Sequence, residues 1–202
     1  PYLVMAGGTG LSGTLDGTIR ASGKRSEPDL IRVQADLKDI MLRYRGEEAA
    51  LIPLLRGNLA NGTYNIEGVE ARLPGEGKVR ISGRGDLEGM IDFNVEGRVP
   101  AAGITPLLED IGEAWGMLGL EAGIRGTISA PEIRGSITLD RAGLVLPVLE
   151  QRLENIQGRI DLTPGTMSLV DIRGEIEGSS VSMAGKVNME GFRPGTLDVT
   201  AA

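Results

Sequence analysis

The chain has 202 residues, of which 41% are hydrophobic, only 3% are aromatic and 31 are glycine, and its net charge is −7. The negative charge argues against a nucleic-acid partner, and the absence of Cys and His excludes disulfides, a Ser-His-Asp triad and a His/Cys zinc site. Because the chain begins at Pro1 without an initiator Met, signal peptide or membrane span, we expect it to be a piece of a longer protein.

Short alternating segments dominate the first half, residues 1–103. Apolar residues occupy the odd positions from Ile31 to Leu37 and polar residues the even ones, the period of a half-buried strand. From Ile40 onward the apolar residues are at even positions. We therefore predict a β-bulge or a turn near Lys38 and Asp39.

One stretch, ITPLLEDIGEAWGML at 104–118, has helical periodicity. Its apolar residues fall on one face of a 3.6-residue period, and Thr105 and Pro106 suit the N-cap and the first helical position. We predict an amphipathic helix that covers an apolar sheet surface through Leu107, Leu108, Ile111 and Trp115. Glu109, Asp110 and Glu113 could be offered as acid/base or metal-binding carboxylates, but a solvated helix face is the preferred interpretation.

The alternating pattern resumes over 119–202, with a change of parity near Val170 and Asp171, and it repeats the first half. Gly57 and Gly83 match Gly158 and Gly185 at offsets of 101 and 102 residues. We therefore predict two related β units, 1–103 and 119–202, joined by the helix 104–118. Short glycine-rich connections favour antiparallel neighbours, and about 15–18 strands of about five residues would form a sheet long enough to curl.

The lining of that curled sheet has two interpretations. It can be a closed, dry core in which aliphatic side chains touch one another. It can also be an open trough whose Leu, Ile and Val side chains accept acyl chains, with each buried CH₂ contributing about 0.8 kcal/mol. Composition does not choose between them.

Three runs in the second half, GIRGTISAPEIRGSITL (123–139), GLVLP (143–147) and LENIQGRIDL (153–162), carry a family resemblance. Together with the preceding ITPLLEDIGEAW and the closing EGFRPG (190–195), their order and spacing resemble the recurring segment of TamB proteins in the AsmA-like group. The first half is similar more loosely, and the resemblance covers essentially the whole chain.

The resemblance implies an elongated, folded-over sheet of the β-taco kind with an apolar interior. It also implies the periplasmic portion of an inner-membrane-anchored protein that meets an Omp85-family, TamA-like barrel through regions outside this chain. The family conducts phospholipid between membranes and is linked to outer-membrane protein assembly, and it brings no catalytic residue, cofactor or metal.

The resulting expectation is a monomeric, non-enzymatic segment that binds or conducts phospholipid acyl chains along an apolar groove. The expected lining residues are Ile128, Ile137, Leu139, Leu144, Leu146, Ile160, Leu162, Leu169, Met183 and Val187. The alternative is a scaffold or chaperone whose exposed strand edges pair with nascent outer-membrane strands by β-augmentation.

Overall fold

A computed structural model describes residues 11–24, 30–44, 46–103, 112–146, 151–190 and 193–201. These residues form a single antiparallel sheet of 12 strands, in which each strand pairs with the next along the chain. The strands are β1 (Leu11–Ser22), β2 (Arg32–Tyr44), β3 (Glu47–Ala60), β4 (Thr63–Leu73), β5 (Gly77–Asp86), β6 (Met90–Pro100), β7 (Ala114–Thr127), β8 (Ala130–Leu146), β9 (Gln151–Thr163), β10 (Thr166–Ile176), β11 (Ser179–Glu190) and β12 (Arg193–Ala201). A short 3₁₀ turn, Ala101–Gly103, follows β6.

The predicted all-β, antiparallel class is confirmed, and the sheet is not closed into a barrel, since β1 and β12 form its two edges. The predicted strand number was too high and the predicted strand length too short, because the described strands contain 9 to 17 residues. Glycines also lie inside the strands. Gly57 and Gly158, for example, are paired positions within β3 and β9.

The predicted helix at 104–118 is wrong at its C-terminal end. Residues 114–118 belong to β7, which pairs with β6 and with β8 along its length. Hydrogen bonds of 3.0 and 2.8 Å from Gly112 N to Val145 O and from Val145 N to Glu113 O extend this pairing toward the chain's N-terminal side. The rest of the predicted helix, 104–111, lies outside the described residues, and these include Leu107, Leu108 and Ile111.

Both predicted changes of parity are confirmed as bulges. Asp39 in β2 and Asp171 in β10 have φ values of 48° and 49°, in the left-handed region, and the strand pairing shifts beside Asp171. Arg141 in β8 and Asn155 in β9 have the same conformation, and Gly68 in β4 has a φ of 57°. Each bulge inserts one residue, so the apolar side chains on either side of it stay on the same face of the sheet.

The most buried side chains lie beside these bulges. Ile40, Val69, Ala142, Ile156 and Ile172 each directly follow a residue with positive φ, and Ile172 is only 3% exposed. Because a bulge bends its strand, it turns the apolar residues on its two sides toward one another. Burial of one such isoleucine contributes about 1.5–3 kcal/mol, so the hydrophobic core is concentrated along the bends.

The bulges recur at the spacing of the sequence repeat. Asp39 and Arg141 are 102 positions apart, and Gly68 and Asp171 are 103 positions apart. The positive-φ bends of β8 and β10 therefore follow those of β2 and β4 at the spacing of the sequence repeat.

The chain exposes far more surface than a compact domain of its mass. Its accessible area is 13637 Å² for 21.3 kDa, whereas a compact monomer of that mass exposes about 9,100 Å². None of the described side chains is less than 2% exposed. This fits one sheet layer that is folded along its bulges better than two fully packed layers.

Candidate functional site: the apolar face

One face of the sheet is built from continuous rows of paired apolar residues. Two rows cross β4 to β11, and two more cross β1 to β8. The first two are Val69, Ile81, Val95, Ala122, Gly135, Leu162, Met167 and Val187, and Ala71, Val79, Gly97, Leu120, Ile137, Ile160, Leu169 and Gly185. The other two are Ile19, Ala35, Gly57, Ile66, Gly83, Phe93, Ile124 and Ile133, and Ala21, Val33, Leu59, Tyr64, Gly85, Ile91, Gly126 and Pro131. No member of these four rows is charged.

The opposite face carries the charges, as strand alternation requires. Between the first two apolar rows, a row of the other parity contains Glu70, Arg80, Glu96 and Glu121 on successive strands. Exposed ion pairs such as Arg125 Nε to Asp92 Oδ1 at 3.0 Å lie on this polar face. The sheet thus separates a charged face from an uncharged, aliphatic one across its width.

Most of the predicted lining residues lie on the apolar face. Ile137, Leu139, Leu144, Ile160, Leu169 and Met183 pack against the buried cluster that contains Leu118, Ala142 and Ile156, and Val187 is itself buried. Leu162 is half-buried in one of the rows above. Leu146 ends β8, and its side chain lies outside the described set.

Ile128 is the exception among these residues. It lies in the turn between β7 and β8, and 67% of its surface is exposed. The sequence suggested a strand position because Ile124 and Ile128 have the same parity. The chain turns after Thr127, so this parity has no meaning at Ile128.

Trp115 lies on a strand, so its predicted place on a covering helix is wrong. It precedes Gly116 in β7 and pairs with Gly143 of β8, while its neighbour Ala114 packs on the apolar side. The indole ring occupies the space above Gly143 that a side chain there would fill. The guanidinium carbon of Arg152 lies 5.1 Å from the ring centroid, a cation–π distance. Trp115 therefore packs on the charged face, over Gly143 and beside Arg152.

An aromatic pair interrupts the aliphatic surface near one end of the strands. The rings of Tyr64 in β4 and Phe93 in β6 have centroids 6.3 Å apart. Gly83 and Gly85 lie between them on β5, and a side chain at either glycine would collide with one of the rings. The glycines therefore let two flat rings lie over the backbone of the apolar face.

Sequence reasoning missed the apolar residues placed in turns. Leu87, in the turn between β5 and β6, is 60% exposed, and Met90 at the start of β6 is 48% exposed. The available signal was Leu87-Glu88-Gly89-Met90, a turn with apolar residues where polar ones are usual.

The chemistry that this face offers is apolar contact. The part of the chain that the structure describes contains no group of three or more acidic residues arranged to hold a metal ion. Within the same residues, no helix is long and apolar enough to cross a membrane. Comparison of the chain with protein-family models, with curated proteins and with solved structures gives no match.

Proposed function

We propose that this chain binds phospholipid acyl chains on its apolar face, as a non-enzymatic, periplasmic segment of a TamB-like bridge between two membranes. In this proposal the bulged sheet curls into a trough, and lipids move along it across the strands. An Omp85-family barrel would meet the bridge outside this chain.

The observation that carries the proposal is the set of uncharged rows, which cross up to eight strands of the described sheet without interruption. A face used only for folding would be expected to be covered, but many of its residues, such as Val95 and Ile124, are only half-buried. Large uncovered apolar surfaces on soluble proteins usually mark binding sites.

The physical mechanism is passive. Acyl chains exchange water for aliphatic side chains at about 0.8 kcal/mol per buried CH₂, while the charged head group stays in water and avoids the cost of desolvation. Few aromatic rings and many Leu, Ile and Val residues give a smooth surface without strong local traps. This favours movement of flexible chains along the sheet.

The alternative scaffold function has one observation in its favour. In the described residues, β1 pairs only with β2 and β12 only with β11, so each has one edge that a client strand could join by β-augmentation. In that case the binding energy would lie in backbone hydrogen bonds and not in the apolar face. The two functions therefore respond differently to a charge placed on that face.

The test is native mass spectrometry of gently purified protein, followed by lipid extraction. We expect bound phospholipid in a defined ratio, and Leu139→Asp to remove most of it because an aspartate in the trough opposes acyl-chain contact. Thr138→Asp is the matched control, since Thr138 is the preceding residue of β8 and is exposed on the charged face.

Because Leu139 packs against the buried cluster, Leu139→Asp could lose lipid simply by unfolding. A second pair of variants controls for this effect. Val95→Asp and Asn94→Asp place the same charge on the two faces of β6, away from that cluster. If folded Val95→Asp and Leu139→Asp variants retain lipid as well as their controls do, the apolar face is not the lipid site. A lipid-free mass that takes up no added lipid would favour the scaffold function.

A further inference from the structure

Glycine follows an aspartate or an asparagine at two places in the chain. Asp16–Gly17 is the only Asp-Gly sequence, and Asn61–Gly62 is the only Asn-Gly sequence. Because glycine has no side chain, its backbone nitrogen can approach the carbonyl carbon of the preceding side chain. Attack by that nitrogen closes a five-membered succinimide ring, which is the common route to isoaspartate. The conformation of each pair decides whether this reaction is favoured in the folded protein.

At Asp16 the two reacting groups are already in contact. Gly17 N donates a hydrogen bond to Asp16 Oδ1 at 2.7 Å. The carboxyl carbon is one bond from that oxygen, so it lies near the separation of about 3–3.5 Å that is typical of near-attack conformations. Both residues are exposed, so water can reach them. The folded chain thus brings the nucleophilic nitrogen and the carbon that it would attack together.

The turn at Asn61 holds the same groups apart. Ala60 and Thr63 are the paired residues that close a two-residue hairpin. Asn61 and Gly62 have φ values of 52° and 72°, as in a type I′ turn. In this left-handed conformation the following nitrogen lies on the far side of the Cα–C bond from the side chain. The Gly62 nitrogen is therefore directed away from the amide carbon of Asn61.

Asp16 also lies where a longer main chain would disturb the sheet. The pairing of β1 with β2 shifts register between Thr14 and Asp16. Gly17 is opposite Leu37 and lies tightly against β2, since a Cβ added to Gly17 would be 2.7 Å from Leu37 Cα. Within the described residues β1 pairs with β2 alone. An extra main-chain atom at position 16 would therefore weaken the only pairing that β1 has there.

We propose that Asp16 is a site of spontaneous isomerisation to isoaspartate, which loosens the edge strand β1. The proton of Gly17 N and the hydroxyl of the protonated Asp16 carboxyl leave as water, while an N–Cγ bond forms and closes the succinimide. Water then breaks the bond between this nitrogen and the main-chain carbonyl carbon of Asp16. The chain now continues through Cγ and is longer by one atom. One water is lost and one is gained, so the mass is unchanged, and no oxidant or reductant takes part.

The Asp16→Asn variant tests the geometry, because it carries two Asn-Gly pairs of equal intrinsic reactivity in one molecule. Deamidation at each pair is followed by the mass of its peptide. In folded protein at mildly alkaline pH, position 16 should deamidate at least about tenfold faster than Asn61. In guanidinium the two rates should become equal, because the conformations that distinguish the pairs are lost. Equal rates in the folded variant, or a faster reaction at Asn61, would overturn the inference.

In the unchanged protein, incubation in mildly acidic buffer should form isoaspartate at Asp16, which electron-transfer fragmentation of the peptide identifies. Asp16→Glu is the matched control, since it keeps the charge but would have to close a six-membered ring, and it should form no such product. The isomerised protein should exchange the amide hydrogens of β1 faster than fresh protein does. A lack of isoaspartate at Asp16, or unchanged exchange in β1 after isomerisation, would contradict the proposal. Neither result depends on whether the apolar face binds lipid.

Discussion

At the scale of single residues, Trp115 shows how a glycine is used on the exposed side of a sheet. Gly143 has no side chain, and the indole of its cross-strand partner covers the gap, with Arg152 on the ring. The arrangement stabilises β7 against β8 close to the bulges at Gly116 and Arg141. Trp115 thus holds two strands together at a bend.

Gly143→Ala should destabilise the protein by about 1–3 kcal/mol, because the new methyl group would occupy the position of the indole. Since Trp115 is the only tryptophan, its emission should also shift to longer wavelength as the ring becomes more exposed. Urea denaturation and fluorescence measure these two effects.

The control is the same Gly143→Ala substitution made in a protein that lacks the Trp115 ring. In a Trp115→Leu variant, Gly143→Ala should cost much less, because the clashing ring is gone. An equal loss of stability in both backgrounds would mean that Gly143 is needed for its backbone and not for the ring.

At the scale of strands, some bulges could be predicted from the sequence and others could not. Asp39 and Asp171 were predictable because clear alternation on both sides reveals the change of parity. Arg141 was not, since Leu144, Val145 and Leu146 are apolar at consecutive positions and show no alternation.

The wrong helix has a simple cause. Ala114 and Leu118 lie four residues apart on the apolar side of β7, a separation that fits a strand and a helix equally well. Pairing with two neighbouring strands then outweighs local propensity. The aliphatic face was predictable from alternation, whereas the exposed apolar residues in turns, such as Leu87 and Ile128, were not, because the turn positions depend on register between strands.

Asp171→Gly should be neutral or stabilise the protein by about 0.5 kcal/mol, because glycine adopts the left-handed conformation without steric cost. Asp36→Gly, at a regular exposed position of β2, should instead destabilise it by about 0.5–1 kcal/mol. Equilibrium urea denaturation compares them. Equal losses at both sites would contradict a left-handed bulge at Asp171.

At the scale of the whole molecule, the exposed area predicts an unusual unfolding transition. An unfolded chain of this mass exposes about 31,000 Å², so folding buries about 17,000 Å² here against about 22,000 Å² for a compact protein. Because the denaturant m-value scales with the area exposed on unfolding, it should be about four-fifths of that of compact proteins of equal length.

This prediction is checked by guanidinium and urea titrations of lipid-free protein, followed by far-ultraviolet circular dichroism. A compact reference of about 200 residues, measured in the same way, is the control. An m-value equal to that of the reference would mean that the two sides of the sheet close on one another more completely than the exposed area indicates.

Because bulges recur after 102 or 103 residues, the sheet has a regular spacing along the chain. Six strands at about 4.8 Å advance about 29 Å across the sheet, and the bends of β2 and β4 then recur in β8 and β10. A gene that gained or lost six such strands would change the width of its product's sheet by about 29 Å. Each strand would still pair with a neighbour of the same kind as before. Duplication could thereby lengthen a protein of this design in steps of one unit.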